Sequence, residues 1–238
     1  MDSNRKTATI VGALFIIATV AGILGLVFEE PILDDPNYLI SVSENETRVI
    51  IGALFVLIMA VAVAGIGTVM YPILRKHNEA LAIGYVGARI LEAVIDIVAV
   101  FSWLLLLILS QEYAEAGAPH APYFQTLGRL LLAAGDWANH VILDVAVFPV
   151  GALIFYYLLY LSRLIPRWLS VWGLIGAPLW LAGGLLAMFG YDPMSTIPIL
   201  SNLPIGVNEM VLAVWLIVKG FHPSALAAES VKTDMNEV

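Results

Sequence analysis

The chain contains no cysteine among its 238 residues. That excludes disulfides, thiolate metal sites and a cysteine nucleophile, and it leaves the redox compartment unread. Charge is scarce as well. Only 13% of residues are Asp, Glu, Lys or Arg, where a soluble domain carries about 25%. The 11 basic residues stand against 19 acidic ones, a net charge of −8, so the basic footprint that a nucleic-acid partner requires is missing. There is no Gly-rich phosphate loop, no dinucleotide fingerprint and no Ser-centred nucleophile elbow. Nor is there an internal repeat, the usual sequence sign of an inverted-repeat transporter.

Apolar residues fill the space instead. They make up 61% of the chain, and the mean hydropathy is +0.91. Too few polar residues remain to cover a surface facing water, whereas lipid covers an apolar one. Six apolar segments can be marked, at residues 7–28, 49–74, 81–109, 127–161, 168–190 and 197–218. A crossing needs about 20 apolar residues in helical form, because lipid offers backbone groups no outside partner. The expected fold is all-α and polytopic, a bundle of six transmembrane helices at 7–219 in a lipid bilayer. A short N-terminus (1–6) precedes it and a polar, disordered tail (220–238) follows. The first segment is too long for a signal-peptide core, and no small-residue cleavage site precedes Glu29 and Glu30, so it reads as an uncleaved span. The fourth is too long for a simple crossing. It either tilts or begins as an interfacial helix near Tyr123 and crosses only from about Val141, with Pro149 kinking it. Pro198 and Pro204 predict an irregular start to the sixth, with a regular helix only from about Pro204.

Basic residues set the orientation. With the N-terminus in the cytoplasm, Arg5, Lys6, Arg75, Lys76, Arg163, Arg167, Lys219 and Lys232 all fall on that side, and only Arg48 falls on the other. Arg89 and Arg129 lie within spans. Both termini are therefore expected to be cytoplasmic, in a multi-pass protein of the plasma membrane. Trp103, Trp168 and Trp215 lie near span ends, where interfacial anchors belong.

Two stretches carry a resemblance. GYVGARILE (residues 84–92) lies in the third span, and YLLYLSRLIPRWL (residues 157–169) crosses the turn between the fourth and fifth. With the span pattern, they resemble the prokaryotic domain-of-unknown-function 4386 family of integral membrane proteins, over about residues 5–220. The resemblance implies a six-helix membrane domain and brings no activity, cofactor or catalytic residue with it.

Ionisable residues inside spans are costly and therefore point to function. Arg89, Glu92 and Asp96 fit within roughly 60° of arc on one helix face. Asp136, His140 and Asp144, four apart, drift through about 80° on another. Asn139 flanks them, and Arg129 lies seven residues before Asp136 on nearly the same face. Asn208 and Glu209 follow Pro204 by one turn, near an expected helix N-terminus that favours a carboxylate. Glu92, Asp96, Asp136, Asn139, His140 and Asp144 thus form a candidate ligand- or proton-binding cluster, with Arg89, Arg129, Asn208 and Glu209 supporting it. Asp136, His140 and Asp144 are spaced so that a metal could use them, although no second histidine falls in any span. Asp136 and His140 lie above the membrane if the crossing starts near Val141.

Three functions follow from this pattern. One is binding or transport of protons, a cation or a small polar solute, by a monomer or a homodimer. Another is a structural or assembly role in which the polar stripes specify helix packing. The third is a metal-dependent intramembrane hydrolase acting on lipid, with His140 and Asp136 as ligands and Glu92 or Asp96 as general base.

Overall fold

The computed structural model describes residues 3–116 and 121–223, and all regular structure among them is helical. In chain order the elements are α1 (Ser3–Leu33), α2 (Tyr38–Glu44), α3 (Glu46–Leu74), α4 (Glu79–Ala116), α5 (Ala121–Asp136), a π-helical segment (Trp137–Val147), α6 (Phe148–Ser162), α7 (Arg167–Met188) and α8 (Thr196–Val218). Six stretches are long and apolar enough to cross a membrane: α1, α3, α4, the composite of α5 through α6, α7 and α8. Each packs on the next, and α8 packs back on α1, so the six close into a ring in sequence order. The outward faces carry exposed apolar side chains, among them Val61, Phe101, Ile175 and Val214. In water such a surface would drive association; in a bilayer it is covered by lipid.

Aromatic side chains fill the ring's interior. Tyr85 of α4 stacks on Phe155 of α6 with ring centroids 4.5 Å apart, and Phe15 of α1 lies 6.1 Å from Phe155. Arg5 closes the ring at one end. Its guanidinium donates to the carbonyls of Ile217 (2.6 Å) and Val218 (3.0 Å) at the C-terminal end of α8. Those carbonyls have no helical donor of their own, and a cation suits the negative end of the helix dipole. The start of α1 and the end of α8 therefore lie on the same side.

Several elements differ from expectation for identifiable reasons. The first helix runs beyond 28 to Leu33, so Glu29 is not a loop residue but a buried one, 8% exposed. Pro31 inside α1 cannot donate to Val27, and Arg48 supplies the missing donor at 3.0 Å while also bonding the Phe28 carbonyl. The acidic connection after it is partly helical, as α2. The sixth crossing starts at Thr196 rather than near Pro204, because Pro198 falls in the first turn, where its missing N–H has no helical acceptor to lose. Trp103 is 6% exposed against the core and is not an interfacial anchor. Phe221 is buried, and the His222 N–H donates to the Leu164 carbonyl at 2.9 Å, so the chain stays docked past residue 220. Of the disordered tail expected at 220–238, the start is thus ordered, and residues 224–238, with Lys232, lie outside the described residues.

The fourth crossing resolves as an α-helix, a run of wide turns and a second α-helix. Pro149, in the first turn of α6, lacks the N–H that would bond residue 145, and its ring crowds the preceding turn. The Phe148 N–H reaches five residues back to Leu143. Wide turns of this kind are rare and gather at functional sites.

Close packing of α6 on α7 depends on Gly173. A Cβ there would overlap the ring of Tyr156, which is fully buried. Gly173→Ala is expected to cost about 1–3 kcal/mol, read as a lowered melting temperature in detergent. Gly206→Ala, where a Cβ meets nothing within 4 Å, should be neutral or slightly stabilising, since alanine is the better helix former. Equal effects at both positions would contradict this packing.

Candidate functional site

Arg89 is the centre of the polar interior. The helix period places Tyr85, Arg89, Glu92 and Asp96 on one face of α4, and all four are buried. The Arg89 guanidinium grips Glu92 with Nη1 at 3.0 Å from Oε1 and 2.9 Å from Oε2. Its Nη2 reaches Oε1 of Glu209 on α8 at 3.3 Å, and its Nε donates to the Tyr85 hydroxyl at 3.1 Å. Phe15, Tyr85 and Phe148 surround the cation with ring centroids 5.6, 5.5 and 5.9 Å from Cζ. Aromatic faces stabilise a desolvated guanidinium, and charge-assisted hydrogen bonds are stronger than neutral ones. Glu209 sits well inside α8, not at a helix start, so the expectation of a dipole-stabilised carboxylate gives way to a direct ion pair.

One turn deeper lies Asp96, 2% exposed, whose Oδ2 has no hydrogen-bond partner. It lies within electrostatic reach of Glu92, Arg89 and Asp144. Asp144, on the π-helical segment and 7% exposed, accepts one bond from Trp180 Nε1 at 2.9 Å. Gly184 lets α7 approach it: a Cβ there would stand 2.8 Å from the Asp144 Cβ. Asn208 donates to the Leu169 carbonyl at 3.0 Å and ties α8 to α7, leaving its own Oδ1 without a partner.

The remaining expected members stand apart. Asn139 and His140 are half-buried and Asp136 is exposed. His140 feels Asp136, Asp192, Asp34 and Glu30, a polar rim toward the end away from the termini. Arg129 is exposed and lies beside Tyr38 and Tyr113, outside the cluster. Among the described residues, no three His, Asp or Glu side chains converge as a metal ion requires. Asp136, His140 and Asp144 do not assemble a ligand set.

Among the described residues the interior thus sets buried Glu92, Asp96 and Asp144 and half-buried Glu209 against one buried cation, Arg89. Four partners escaped the sequence reading: Tyr85, Trp180, Phe15 and Phe148. Tyr85 precedes Arg89 by one turn and could have been found from that spacing. Trp180, Phe15 and Phe148 come from other helices and left no local signal. Glu29 is a further buried carboxyl, with Oε2 unpartnered.

A family model described as "Domain of unknown function (DUF4386)" matches residues 10–220. No curated protein and no solved structure matches the chain.

Removing the cation while leaving its two carboxylates should be the most damaging change in the interior. Arg89→Met is expected to cost about 3–5 kcal/mol, measured by thermal unfolding in detergent. Adding Glu92→Gln and Glu209→Gln should recover part of that loss. An unchanged melting temperature for Arg89→Met alone would refute the ion pair.

Proposed function

The chain belongs to the DUF4386 family, which is defined without an assigned activity, and from that premise we propose that it is a proton-binding integral membrane protein with Asp96 and Asp144 as the carriers. The observation that carries this reading is the state of Asp96, which is deeply buried and receives no hydrogen bond at Oδ2. An ionised carboxylate without donors is costly in a low-dielectric interior. Arg89 is already engaged by Glu92 and Glu209, so the surplus negative charge is not neutralised by protein cations. A proton neutralises it one carboxyl at a time and needs no multidentate cradle. A bound metal ion would need one, and none of three ligands forms among the described residues.

Asp144 is the natural exchange partner. It sits on the facing helix, holds a single donor, and lies on a π-helical stretch. The half-buried His140 and Asn139 lie one turn from it, between the buried carboxyls and the exposed Asp136. That order supports proton passage from the rim inward, with Asp136 and His140 at the outer end and Asp96 at the inner.

A second reading applies to the other half of the cluster. Arg89, Glu92 and Glu209 satisfy one another, and they join α4 to α8 across the ring. That saturation favours a structural role for these three, in which the ion pair fixes helix register. The lipid-hydrolase reading rested on a metal held by Asp136 and His140, and nothing in the geometry supports it.

The positive-inside distribution supports cytoplasmic termini in the plasma membrane, with α2 and α5 on the outer side. The cysteine-free chain makes this simple to test. Glu112→Cys should react with an impermeant maleimide in intact cells, and Lys76→Cys only after permeabilisation. The reverse pattern would invert the topology. For the proton reading, protein in liposomes loaded with a pH-sensitive dye should speed the collapse of an imposed pH gradient. Asp96→Asn should return the rate to that of protein-free vesicles, while Gly206→Ala should leave it unchanged. Wild-type protein no faster than empty vesicles would defeat the proposal.

A further inference from the structure

At the end of the bundle opposite the termini, α2, α4 and α5 line a half-open cavity of about 200 Å³. Tyr38, Leu39 and Ile40 line it from α2, Tyr113 from α4, and Gln125 and Arg129 from α5. The walls are fastened to one another. The Tyr38 hydroxyl donates to the Gln125 carbonyl at 3.1 Å. Gly128 brings α5 against Tyr38 so closely that a Cβ would stand 2.7 Å from the Tyr38 oxygen. Beneath them, Leu39, Val42, Leu106 and Leu107 form their own apolar cluster.

Arg129 has no carboxylate partner among the described residues. This is notable on a face that bears exposed Asp34, Glu44, Glu46, Glu112 and Glu115. Asp35, which precedes the lining residue Pro36, is already occupied: it accepts the Asn37 N–H and the Ser41 hydroxyl, each at 2.7 Å. Those two bonds hold its carboxyl below the usual range. The other cation of this end, Arg48, is spent on the carbonyls of Val27 and Phe28. Burial pushes the Tyr38 phenol up despite the pull of Arg129, so it remains a neutral hydroxyl.

We propose that this cavity binds a small aromatic monocarboxylate, its carboxylate on the Arg129 guanidinium and its ring beside Tyr38 and Tyr113. A guanidinium presents a planar fork that matches a carboxylate edge. The volume falls below the roughly 300 Å³ at which sites for drug-sized ligands begin, so the ligand is compact. The surrounding acids set its charge. Their field opposes every negative charge beyond the one that Arg129 neutralises, so multivalent anions such as phosphate are rejected. Asn37 and Gln125 add polar lining beside Arg129, and the rings of Tyr38 and Tyr113 suit a flat aromatic body.

Isothermal titration of the detergent-solubilised full chain tests this with three probes: benzoate, its uncharged counterpart benzamide, and inorganic phosphate. Saturable heat is expected for benzoate alone. Arg129→Gln should weaken benzoate binding by roughly tenfold to a hundredfold, the value of a charged hydrogen-bonded contact. Ile40→Trp, which fills the cavity and leaves the guanidinium in place, should abolish it. Both positions are exposed, and an unchanged melting temperature confirms that each variant is folded. No saturable benzoate heat from the wild-type chain, benzoate binding that survives Arg129→Gln, or phosphate binding as tight as benzoate would each overturn the proposal.

Discussion

A guanidinium buried among hydrocarbon must find anionic partners, and Arg89 finds two. An unpaired charge in such surroundings is costly by several kcal/mol. Glu92 on the same helix answers half the demand, since residues three apart meet on a helix face. The other half comes from Glu209, 120 residues further on. Because α4 and α8 stand across the ring from each other, that bond fixes the sixth crossing against the third. The aromatic packing of Phe15, Tyr85, Phe148 and Phe155 then forms around the cation. The apolar core and the charged knot are one structure.

The same arrangement leaves Asp96 and Asp144 without a cation of their own. Two helices with different pitch bring these carboxyls near each other, one on a regular α-helix and one on wide turns. Gly184 makes room on the far side by allowing α7 to come up to Asp144. The interior is therefore divided. Near the termini it is a saturated ion pair, and toward the opposite end it holds acids with few donors. The second part holds the buried carboxyls that lack a cation of their own, which is why the proposed function rests there.

Composition and helical period made much of this legible. Hydrophobic length located six crossings, and the three-four spacing of Arg89, Glu92 and Asp96 placed them correctly on one inward face. The residue pattern also put Arg129 and Asp136 on a shared face, and both are exposed. What the period could not reveal was the change of pitch after Asp136. Wide turns rotate Asp144 inward relative to the α-helical path, so the expected stripe from Arg129 to Asp144 splits in two. The prolines of the sixth crossing misled. Pro198 and Pro204 read as a late helix start, but one sits in a first turn and the other is tolerated inside a continuous helix. Pro31 is tolerated inside α1 because Arg48 replaces its missing donor. Partners between helices, such as Trp180 for Asp144, depend on packing that no local pattern records.

The hold of Arg5 on the last helix has a consequence for biosynthesis. Its acceptors at the end of α8 lie as much as 213 residues downstream. Ribosomes deliver a membrane chain from its N-terminus, so α1 enters the bilayer long before the carbonyls that will receive its guanidinium exist. Until they arrive, the ring is an open arc with the α8-facing side of α1 turned to lipid or to the insertion machinery. Assembly is thus gated by the sixth crossing, and any factor that shelters early helices would act during that interval.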